Sequence, residues 1–430
     1  MHEFIEVIGP SLANGTVPIQ GAKNAALPLL LASMLTDQPC TFENLPNLED
    51  VSLSLQLLEH FGAQTEFNSD KVTVHTPVLS ATEASYSVVK ALRASFWVLG
   101  PLLARARTAR VALPGGDIIG ARPVDLHLSA LSQMGADIKV RHGVVFAEAP
   151  KGLKPADIFL RFPSVGATHQ ILMAATLVPG VTTIHGAARE PEVVALAKFL
   201  SSLGAEIDGA GSNVIHIRGT TSPGKGFAKL DGDRIVAGTY LAAGVISGGP
   251  VKVTGVFPDQ LTAFLDLLEE GGCIIEKGED WISVRRSTET FRAINAATGP
   301  FPALATDLQA PLLTILTTAE GKSSLTENIF EGRFGIISEL SRMGAKISVD
   351  GKTAYIEGVP RLSGAYVEGM DLRAAASLVI AGLAAEGLTR VHEVHHLRRG
   401  YEHFEQNLRS LGAQVYSRIS DAEDFMFIGC

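Results

Sequence analysis

The stretch QMGADIKV, residues 133–140, carries the pattern of a helix end followed directly by a strand. The apolar residues before its glycine recur at the spacing of one helix face, and they are Val124, Leu128, Leu131 and Met134. Gly135 supplies the left-handed residue that commonly ends a helix. The stretch therefore predicts an amphipathic helix that ends at a glycine and leads into a strand.

The same junction recurs along the chain. Its other copies are HFGAQTEF, SLGAEIDG, EGGCIIEK, RMGAKISV and SLGAQVYS, with glycines at 62, 204, 272, 344 and 412. The period is about 70 residues, which is too long for the common solenoid repeats. Each copy is therefore predicted to be one small α/β subdomain, and the chain to contain six of them.

Each unit also carries a second helix that is apolar all round. Examples are AALPLLLASML, ASFWVLGPLLA, VGATHQILMAA, IVAGTYLAAGVI and AAASLVIAGLAA. Helices without a polar face are expected to lie buried at the centre of a domain. Six units divide most simply into two domains of three, with the division near 231–238, and a cleft between two such halves would be the default ligand site.

The composition excludes several classes of partner. Lys and Arg number 36 against 45 Asp and Glu, so the net charge of −9 opposes general attraction to nucleic acid or acidic lipid. The longest apolar runs, such as 374–385, fall short of the ~18 residues that span a bilayer. The first residues, MHEFIEVIG, lack a signal-peptide pattern. We expect a cytoplasmic protein without membrane or nucleic-acid partners, and nothing demands more than a monomer.

Polar residues stand at corresponding positions in the repeated units. Just before the buried helices are Lys23, Asn24, Arg93, Ser164, Arg234, Asp307, Asp371 and Arg373. A second series of loops carries Asp117, Arg122, Arg189, Arg333, Arg398 and Arg399. Helix N-termini and cations both favour phosphate or carboxylate groups. As a set they predict a multiply anionic substrate, although any one arginine alone could be a solvated surface charge.

Three short motifs resemble known sites without matching them. HEVHH, residues 392–396, has the letters of a zinc motif that requires a helix, but the repeat places it in a strand, with His396 at the edge of the cleft. GKS at 321–323 leads into a strand, and so is no phosphate loop. GAGSNV at 209–214 is interpreted as a hairpin turn. The three cysteines, Cys40, Cys273 and Cys430, are too widely spaced for a disulfide framework or a metal cluster. No metal or other cofactor is expected.

Motifs along nearly the whole chain resemble those of the enolpyruvyl transferases. They are GAKNAALP, RASFWVLGP, LPGGDIIGARPVDLH, SVGAT, TDLQA, FEGRF, DLRAAASLV and RGYE, beginning at 21, 93, 113, 164, 306, 330, 371 and 399. The resemblance implies an α/β fold of two inside-out barrel domains, each of three β-α-β-α-β-β units. The implied first domain is 22–231 with a catalytic loop at 113–123, and the second is 1–21 plus 232–430.

The closest family pattern is that of the UDP-N-acetylglucosamine 1-carboxyvinyltransferases. This resemblance implies transfer of enolpyruvyl from phosphoenolpyruvate to the 3-hydroxyl of UDP-N-acetylglucosamine with release of phosphate, the first committed step of peptidoglycan synthesis. The implied phosphoenolpyruvate-binding residues are Lys23, Asn24, Arg122 and Arg399. The implied sugar-nucleotide set is Arg93, Arg122, Pro123, Val124, Asp125, Leu126, Ser164, Val165, Asp307 and Ile329. Lys23, Arg122 and Arg399 are also implied to be catalytic, with Asp307 as the base and Asp117 as the proton donor.

The chain departs from the commonest family pattern at three positions. Asp117 stands where most members have the cysteine that fosfomycin alkylates, which implies an active enzyme insensitive to that drug. Phe162 stands where some members have a lysine near the diphosphate, which would shift diphosphate binding to Arg93 and Arg122. Arg398 replaces an aspartate and is expected to add positive charge beside Arg399. Two alternatives stay open: transfer to shikimate 3-phosphate, and a non-catalytic paralogue that binds a sugar nucleotide.

Overall fold

The structure is a computed structural model, which describes residues 2–68, 71–114, 119–120 and 123–420. Its strands are His2–Gly9 (β1), Gly15–Pro18 (β2), Cys40–Glu43 (β3), Gln64–Asn68 (β4), Lys71–His75 (β5), Glu83–Ala84 (β6), Thr108–Ala112 (β7), Asp137–Arg141 (β8), Val144–Glu148 (β9), Asp157–Phe159 (β10), Val181–His185 (β11), Glu206–Asp208 (β12), Val214–Arg218 (β13), Gly226–Lys229 (β14), Val251–Thr254 (β15), Cys273–Lys277 (β16), Trp281–Arg286 (β17), Asn295–Ala297 (β18), Lys322–Thr326 (β19), Lys346–Asp350 (β20), Thr353–Glu357 (β21), Leu362–Ser363 (β22), Tyr366–Glu368 (β23), Ala385–His392 (β24) and Val415–Ser420 (β25).

The helices fall between these strands. The α-helices are Lys23–Ala32 (α1), Glu49–His60 (α2), Tyr86–Ala91 (α3), Leu99–Ala106 (α4), Asp125–Gln133 (α5), Val165–Ala175 (α6), Pro191–Ser202 (α7), Arg234–Ser247 (α8), Thr262–Glu270 (α9), Gln309–Leu316 (α10), Ile336–Arg342 (α11), Leu372–Ala384 (α12) and Phe404–Ser410 (α13). Short 3-10 helices are Ser33–Leu35, Arg93–Val98, Pro258–Gln260, Thr306–Leu308, Arg333–Gly335 and Val394–Arg399.

The strands form six sheets of one design. An edge strand runs parallel to its neighbour, and two further antiparallel strands continue the sheet. These two strands form a hairpin in five sheets, whereas in the sixth they are β1 and β25, which are far apart in the chain. The strand orders are β14-β3-β5-β4, β6-β7-β9-β8, β10-β11-β13-β12, β2-β15-β17-β16, β18-β19-β21-β20 and β22-β24-β1-β25, with β23 also paired to β24. The six predicted units are therefore confirmed as six repeated sheets within the described residues.

The glycine junctions have the backbone that the sequence predicts. Gly135 has φ of 93°, and the other five junction glycines lie between 86° and 108°. An added Cβ at Gly135 would come no closer than 3.9 Å to the side chain of Lys154. The left-handed conformation, and not a shortage of space, therefore selects glycine at this helix end.

The chain folds into two compact units, each larger than one of the six repeats. The first is Met1–Gln20, Asp117–Ala121 and Gly232–Cys430, and the second is Gly21–Gly116 and Arg122–Asp231. Each unit has its own apolar core. In the first, the three apolar helices α8, α10 and α12 contact one another. In the second, α6 contacts α4 and the 3-10 helix Arg93–Val98, which in turn contacts α1.

These central helices are buried around most of their circumference. In α8 every residue from Arg234 to Ile246 is buried, and in α1 only Asn24 is not. The predicted burial of the apolar helices is thus confirmed. Among the described residues, no helix is both long and apolar enough to cross a bilayer.

The repeat leads to one wrong prediction, in the segment HEVHH. The strand β24 ends at His392, Glu393 has φ of 56°, and Val394–Arg399 forms a 3-10 helix. The left-handed residue turns the chain out of the sheet, so residues 393–396 do not lie in a strand. The other two interpretations are confirmed: GKS leads into β19, and GAGSNV connects the antiparallel pair β12 and β13.

Candidate active site

Lys23 is the first residue of α1, at the start of a buried helix. Its Nζ lies 3.2 Å from Oδ2 of Asp50, and both side chains are largely buried. Asp50 belongs to the first turn of α2, so this ion pair joins two helices of one unit. The sequence pattern identified Lys23 and its half-buried neighbour Asn24, but not Asp50.

Arg93 and Ser164 begin two elements that hydrogen bonds hold together. Arg93 opens a 3-10 helix, and Ser164 caps α6 by accepting a hydrogen bond of 3.2 Å from the backbone N–H of Ala167. The indole Nε1 of Trp97 donates to the carbonyl of Gly166 at 3.0 Å. The structure therefore brings the start of the 3-10 helix and the half-buried Val165 at the start of α6 into one local site.

The segment from Pro123 to Leu126 leads into α5 in the same unit. Asp125 is the first residue of that helix and forms an ion pair with Arg161. Pro123 is exposed, and Val124 and Leu126 are half-buried. The buried ring of His127 packs closely against Gly166, because a Cβ added at Gly166 would lie only 3.0 Å from the ring. His127 thus places α5 against the start of α6.

Two buried histidines pack beneath the surface of this local site. Burial, together with the charge of Arg93, lowers the pKa of His127 to about 4, although Gln170 and Asp125 oppose the shift. Burial likewise lowers the pKa of His169 to about 4, and the ring packs edge-on against Trp97. Both rings are therefore neutral at pH 7.

Asp307 lies in the 3-10 helix Thr306–Leu308 of the other unit, between two arginines. Its Oδ1 accepts from Nη2 of Arg333, and its Oδ2 lies 3.4 Å from Nη2 of Arg373. Both guanidinium side chains are less than a tenth exposed. The two charges fix the orientation of the carboxylate.

Arg373 is itself held from several sides at the start of α12. Its guanidinium lies 5.3 Å from the ring centre of Tyr401, whose hydroxyl is 2.9 Å from that of Thr239. Burial lowers the pKa of Arg373, but Tyr401, Asp307 and Asp233 together raise it above its usual value. Arg373 therefore stays charged at every accessible pH.

Ile329 is placed by a buried carboxylate that the sequence did not identify. Oε1 of Glu327 accepts from the backbone N–H of Ile329 at 2.7 Å and of Phe330 at 3.0 Å. Its Oε2 accepts from the hydroxyl of Thr306 at 3.0 Å. Glu327 thus ties the loop after β19 to the turn that carries Asp307. Its only sequence signal is an acidic residue directly after a strand.

Arg399 is half-buried and ends the 3-10 helix Val394–Arg399. Its neighbour Arg398 pairs with Glu405 and Glu3. These two carboxylates offset the positive charge that Arg398 adds beside Arg399. Burial, His395 and Arg399 lower the pKa of His396 in the same helix.

Asp117 and Arg122 lie outside the described residues. Between them, Ile119 and Gly120 group with the unit that carries Asp307, and the carbonyl of Ile119 accepts from the backbone N–H of Gly332 at 2.9 Å. Gly120 has φ of 130°, and an added Cβ would lie 3.3 Å from the backbone nitrogen of Glu331. This part of the glycine-rich loop is therefore adjacent to the loop that leads to Arg333.

The predicted site residues belong to both units. Lys23, Asn24, Arg93, Ser164, Val165 and the segment from Pro123 to Leu126 are in one unit, and Asp307, Ile329 and Arg399 are in the other. Across the described ranges, no group of three or more His, Cys, Asp or Glu side chains could hold a metal ion.

Comparison with known proteins shows the family of the chain. The family model of EPSP synthase (3-phosphoshikimate 1-carboxyvinyltransferase) matches residues 7–408. The chain belongs to this family. It is 47% identical to a protein of Xanthobacter autotrophicus named UDP-N-acetylglucosamine 1-carboxyvinyltransferase, over 97% of this chain and 99% of that one. It is 46% identical to UDP-N-acetylglucosamine 1-carboxyvinyltransferase 2 of Carboxydothermus hydrogenoformans, over 98% of this chain and all of that one.

A solved member of the family has the same fold. The enolpyruvyl transferase NikO from Streptomyces tendae superimposes with a TM-score of 0.87, at 25% identity, over 98% of this chain and all of that one. The predicted fold class, two inside-out α/β barrel domains of three units each, is thereby confirmed. The likeness extends over nearly the whole chain, so the predicted membership of the enolpyruvyl transferases is also confirmed.

Proposed function

We propose that the chain transfers the enolpyruvyl group of phosphoenolpyruvate to the 3-hydroxyl of UDP-N-acetylglucosamine, with release of phosphate. The full-length relatives that carry this activity in their names support the proposal. The structural observation that carries it is the carboxylate of Asp307, fixed between the buried guanidinium groups of Arg333 and Arg373. A fixed and partly exposed carboxylate is what activation of a sugar hydroxyl requires.

In this proposal, phosphoenolpyruvate is held by Lys23, Asn24, Arg122 and Arg399. Both substrates carry phosphate and phosphoenolpyruvate adds a carboxylate, so cations at helix ends suit them. Lys23 stands at the N-terminus of α1, where backbone N–H groups and the helix dipole also favour an anion. Its ion pair with Asp50 limits the ammonium to one region, which lowers the entropy lost on binding.

The sugar nucleotide would occupy the second set of residues. That set is Arg93, Arg122, Pro123, Val124, Asp125, Leu126, Ser164, Val165, Asp307 and Ile329. The hydrogen bonds of Trp97 and Ser164 support this assignment, because they fix the segments that carry several of these residues. Phe162 is exposed and brings no charge to the diphosphate, which leaves that task to the arginines.

The chemistry then needs two proton transfers for the addition step and two for the elimination step. The 3-hydroxyl oxygen bonds to C2 of phosphoenolpyruvate, its proton passes to Asp307, and C3 gains a proton from Asp117. C3 then returns a proton to Asp117, the bond from C2 to the phosphate oxygen breaks and the double bond re-forms, while the proton on Asp307 leaves with the phosphate. Oδ1 of Asp307 accepts from Arg333 and Oδ2 from Arg373, so the carboxylate is oriented by two cations while its side chain stays partly exposed to an incoming hydroxyl.

Asp117 can act only when its loop excludes water from the substrates. We further propose that the enzyme is insensitive to fosfomycin, since aspartate offers no thiol to alkylate. The reaction would be the first committed step of peptidoglycan synthesis, carried out by a monomer in the cytoplasm.

The test is phosphate release from phosphoenolpyruvate with each acceptor. We expect release with UDP-N-acetylglucosamine and none with shikimate 3-phosphate, the acceptor that the family description suggests. Release with shikimate 3-phosphate alone would overturn the proposal. Tight binding of UDP-N-acetylglucosamine without release would instead identify a non-catalytic paralogue.

A further inference from the structure

The backbone on both sides of Arg399 is fixed by side chains from distant parts of the chain. Arg399 ends a 3-10 helix of six residues, a form whose internal hydrogen bonds are poorer than those of an α-helix. Such a short helix depends on tertiary contacts to hold one conformation. The segment is followed by Gly400 and Tyr401, whose N–H groups both donate to the carbonyl of Leu397, at 3.0 and 2.8 Å.

On the N-terminal side, the contact is made by Arg398. Its Nη1 and Nη2 donate to the two carboxylate oxygens of Glu405 at 3.1 and 2.8 Å, and Nη2 also donates to Glu3 at 2.6 Å. The side chain of Glu405 is only 5% exposed. A two-pronged pair with a buried carboxylate has a fixed geometry, unlike a solvated surface pair. It joins the 3-10 helix to α13 and to β1.

On the C-terminal side, the contact is made by Gln20. Its Nε2 donates to the carbonyl of Gly400 at 3.2 Å, and its Oε1 accepts from the N–H of Glu402 at 2.6 Å. The backbone of Gln20 is itself fixed, because its carbonyl accepts from the N–H of Asp233 at 2.8 Å. One amide therefore satisfies two backbone groups immediately after Arg399.

We propose that Gln20 and Arg398 are positioning residues for Arg399. They fix the backbone before and after it, so that its guanidinium is presented to the anionic substrate in one orientation. This inference rests on the proposed function, in which Arg399 binds phosphoenolpyruvate. A displacement of about 1 Å in a group that positions a substrate can cost about a hundredfold in rate.

The test compares Gln20→Ala, Gln20→Glu and the double variant Arg398→Gln/Glu405→Gln by steady-state kinetics. The double variant removes both charges, so no buried carboxylate is left unpaired. We expect KM for phosphoenolpyruvate to rise about tenfold in Gln20→Ala and in the double variant, with KM for UDP-N-acetylglucosamine within about twofold. Gln20→Glu keeps the acceptor for Glu402 but sets a carboxylate oxygen against the carbonyl of Gly400, so its KM for phosphoenolpyruvate should rise at least as much as in Gln20→Ala.

The same changes are then made in an Arg399→Gln background. If Gln20 and Arg398 act through Arg399, their effect on KM for phosphoenolpyruvate disappears there. An equal effect in both backgrounds, or no effect when Arg399 is intact, would overturn the proposal. If Arg399→Gln alone leaves that KM unchanged, then Arg399 does not bind the substrate and the underlying assignment fails instead. Arg361→Gln, which removes an exposed pair with Glu386 in the same unit, is the control.

Discussion

The stability of the unit that contains His127 and His169 should fall steeply as the pH is lowered. Both rings are buried, and the pKa of each is lowered from 6.5 to about 4. Between these two values the unfolded chain binds a proton at each histidine and the folded chain does not. Unfolding is therefore favoured increasingly as the pH falls through 6, and the contribution of these groups stops growing near pH 4.

The size of the effect follows from the shift. A difference of ~2.5 pKa units at ~1.4 kcal/mol per unit gives about 3 kcal/mol for each histidine at the low-pH limit. At pH 5 the expected loss is about 2 kcal/mol for each, or about 4 kcal/mol for the pair. This is a large fraction of the ~5–15 kcal/mol by which domains are usually stable.

Fluorescence of Trp97 reports directly on this unit. The chain has two tryptophans, and a Trp281→Phe background leaves only Trp97, whose ring packs against His169. Urea unfolding is measured at pH 7.5 and pH 5 for this background and for His127→Gln, His169→Gln and both together. Each single variant should reduce the difference in unfolding free energy between pH 7.5 and pH 5 by about 2 kcal/mol.

The control for that experiment is His216→Gln, which removes an exposed histidine from β13 of the same unit. If the doubly substituted protein kept the full loss of stability at pH 5, other groups would be responsible. The assignment of the pH dependence to the two buried rings would then be refuted.

Three further substitutions test other parts of the structure. Arg373→Gln removes a buried partner of Asp307 and should lower the unfolding free energy by about 3 kcal/mol. The measurement is urea unfolding followed by the fluorescence of Trp281, and a loss under about 1 kcal/mol would contradict a structural ion pair. Asp117→Asn should abolish phosphate release. Its affinity for UDP-N-acetylglucosamine, measured by calorimetry, should stay within about threefold of the unsubstituted protein. Near-normal turnover would show that Asp117 only forms a turn. Gly135→Ala should cost about 1–2 kcal/mol in urea titrations followed at Trp97, which lies in the same unit, because its φ is 93°. An unchanged midpoint would argue against strain there.

The parts of the fold that could be predicted from the sequence are those fixed by local pattern. The left-handed glycines follow from the helix periodicity before them, and the buried helices from their lack of a polar face. HEVHH was predicted wrongly because the repeat gives the strand but not its end, which the left-handed Glu393 determines. No residue close to Glu393 in the sequence predicts this turn.

The partners of the site residues could not be predicted in the same way. Lys23 and Asp50 are separated by 27 residues, and Arg373 and Asp307 by 66. Such pairs arise when distant elements of one unit pack against each other, and a charged residue in the sequence carries no sign of which opposite charge it will meet. The resemblance to the enolpyruvyl transferases supplies candidate roles for residues, but not these supporting contacts.

The N-termini of corresponding helices in the repeated units can differ in their capacity to bind an anion. Helices α8 and α12 satisfy their first N–H groups with their own capping residues, Asp233 and Asp371, and α6 does so with Ser164. Among the described residues, no side chain caps α1, which begins at Lys23. The helix start is marked instead by the ammonium of Lys23, which adds to the positive end of the helix dipole. An anionic substrate should accordingly bind more strongly at the start of α1 than at the capped start of α8 or α12.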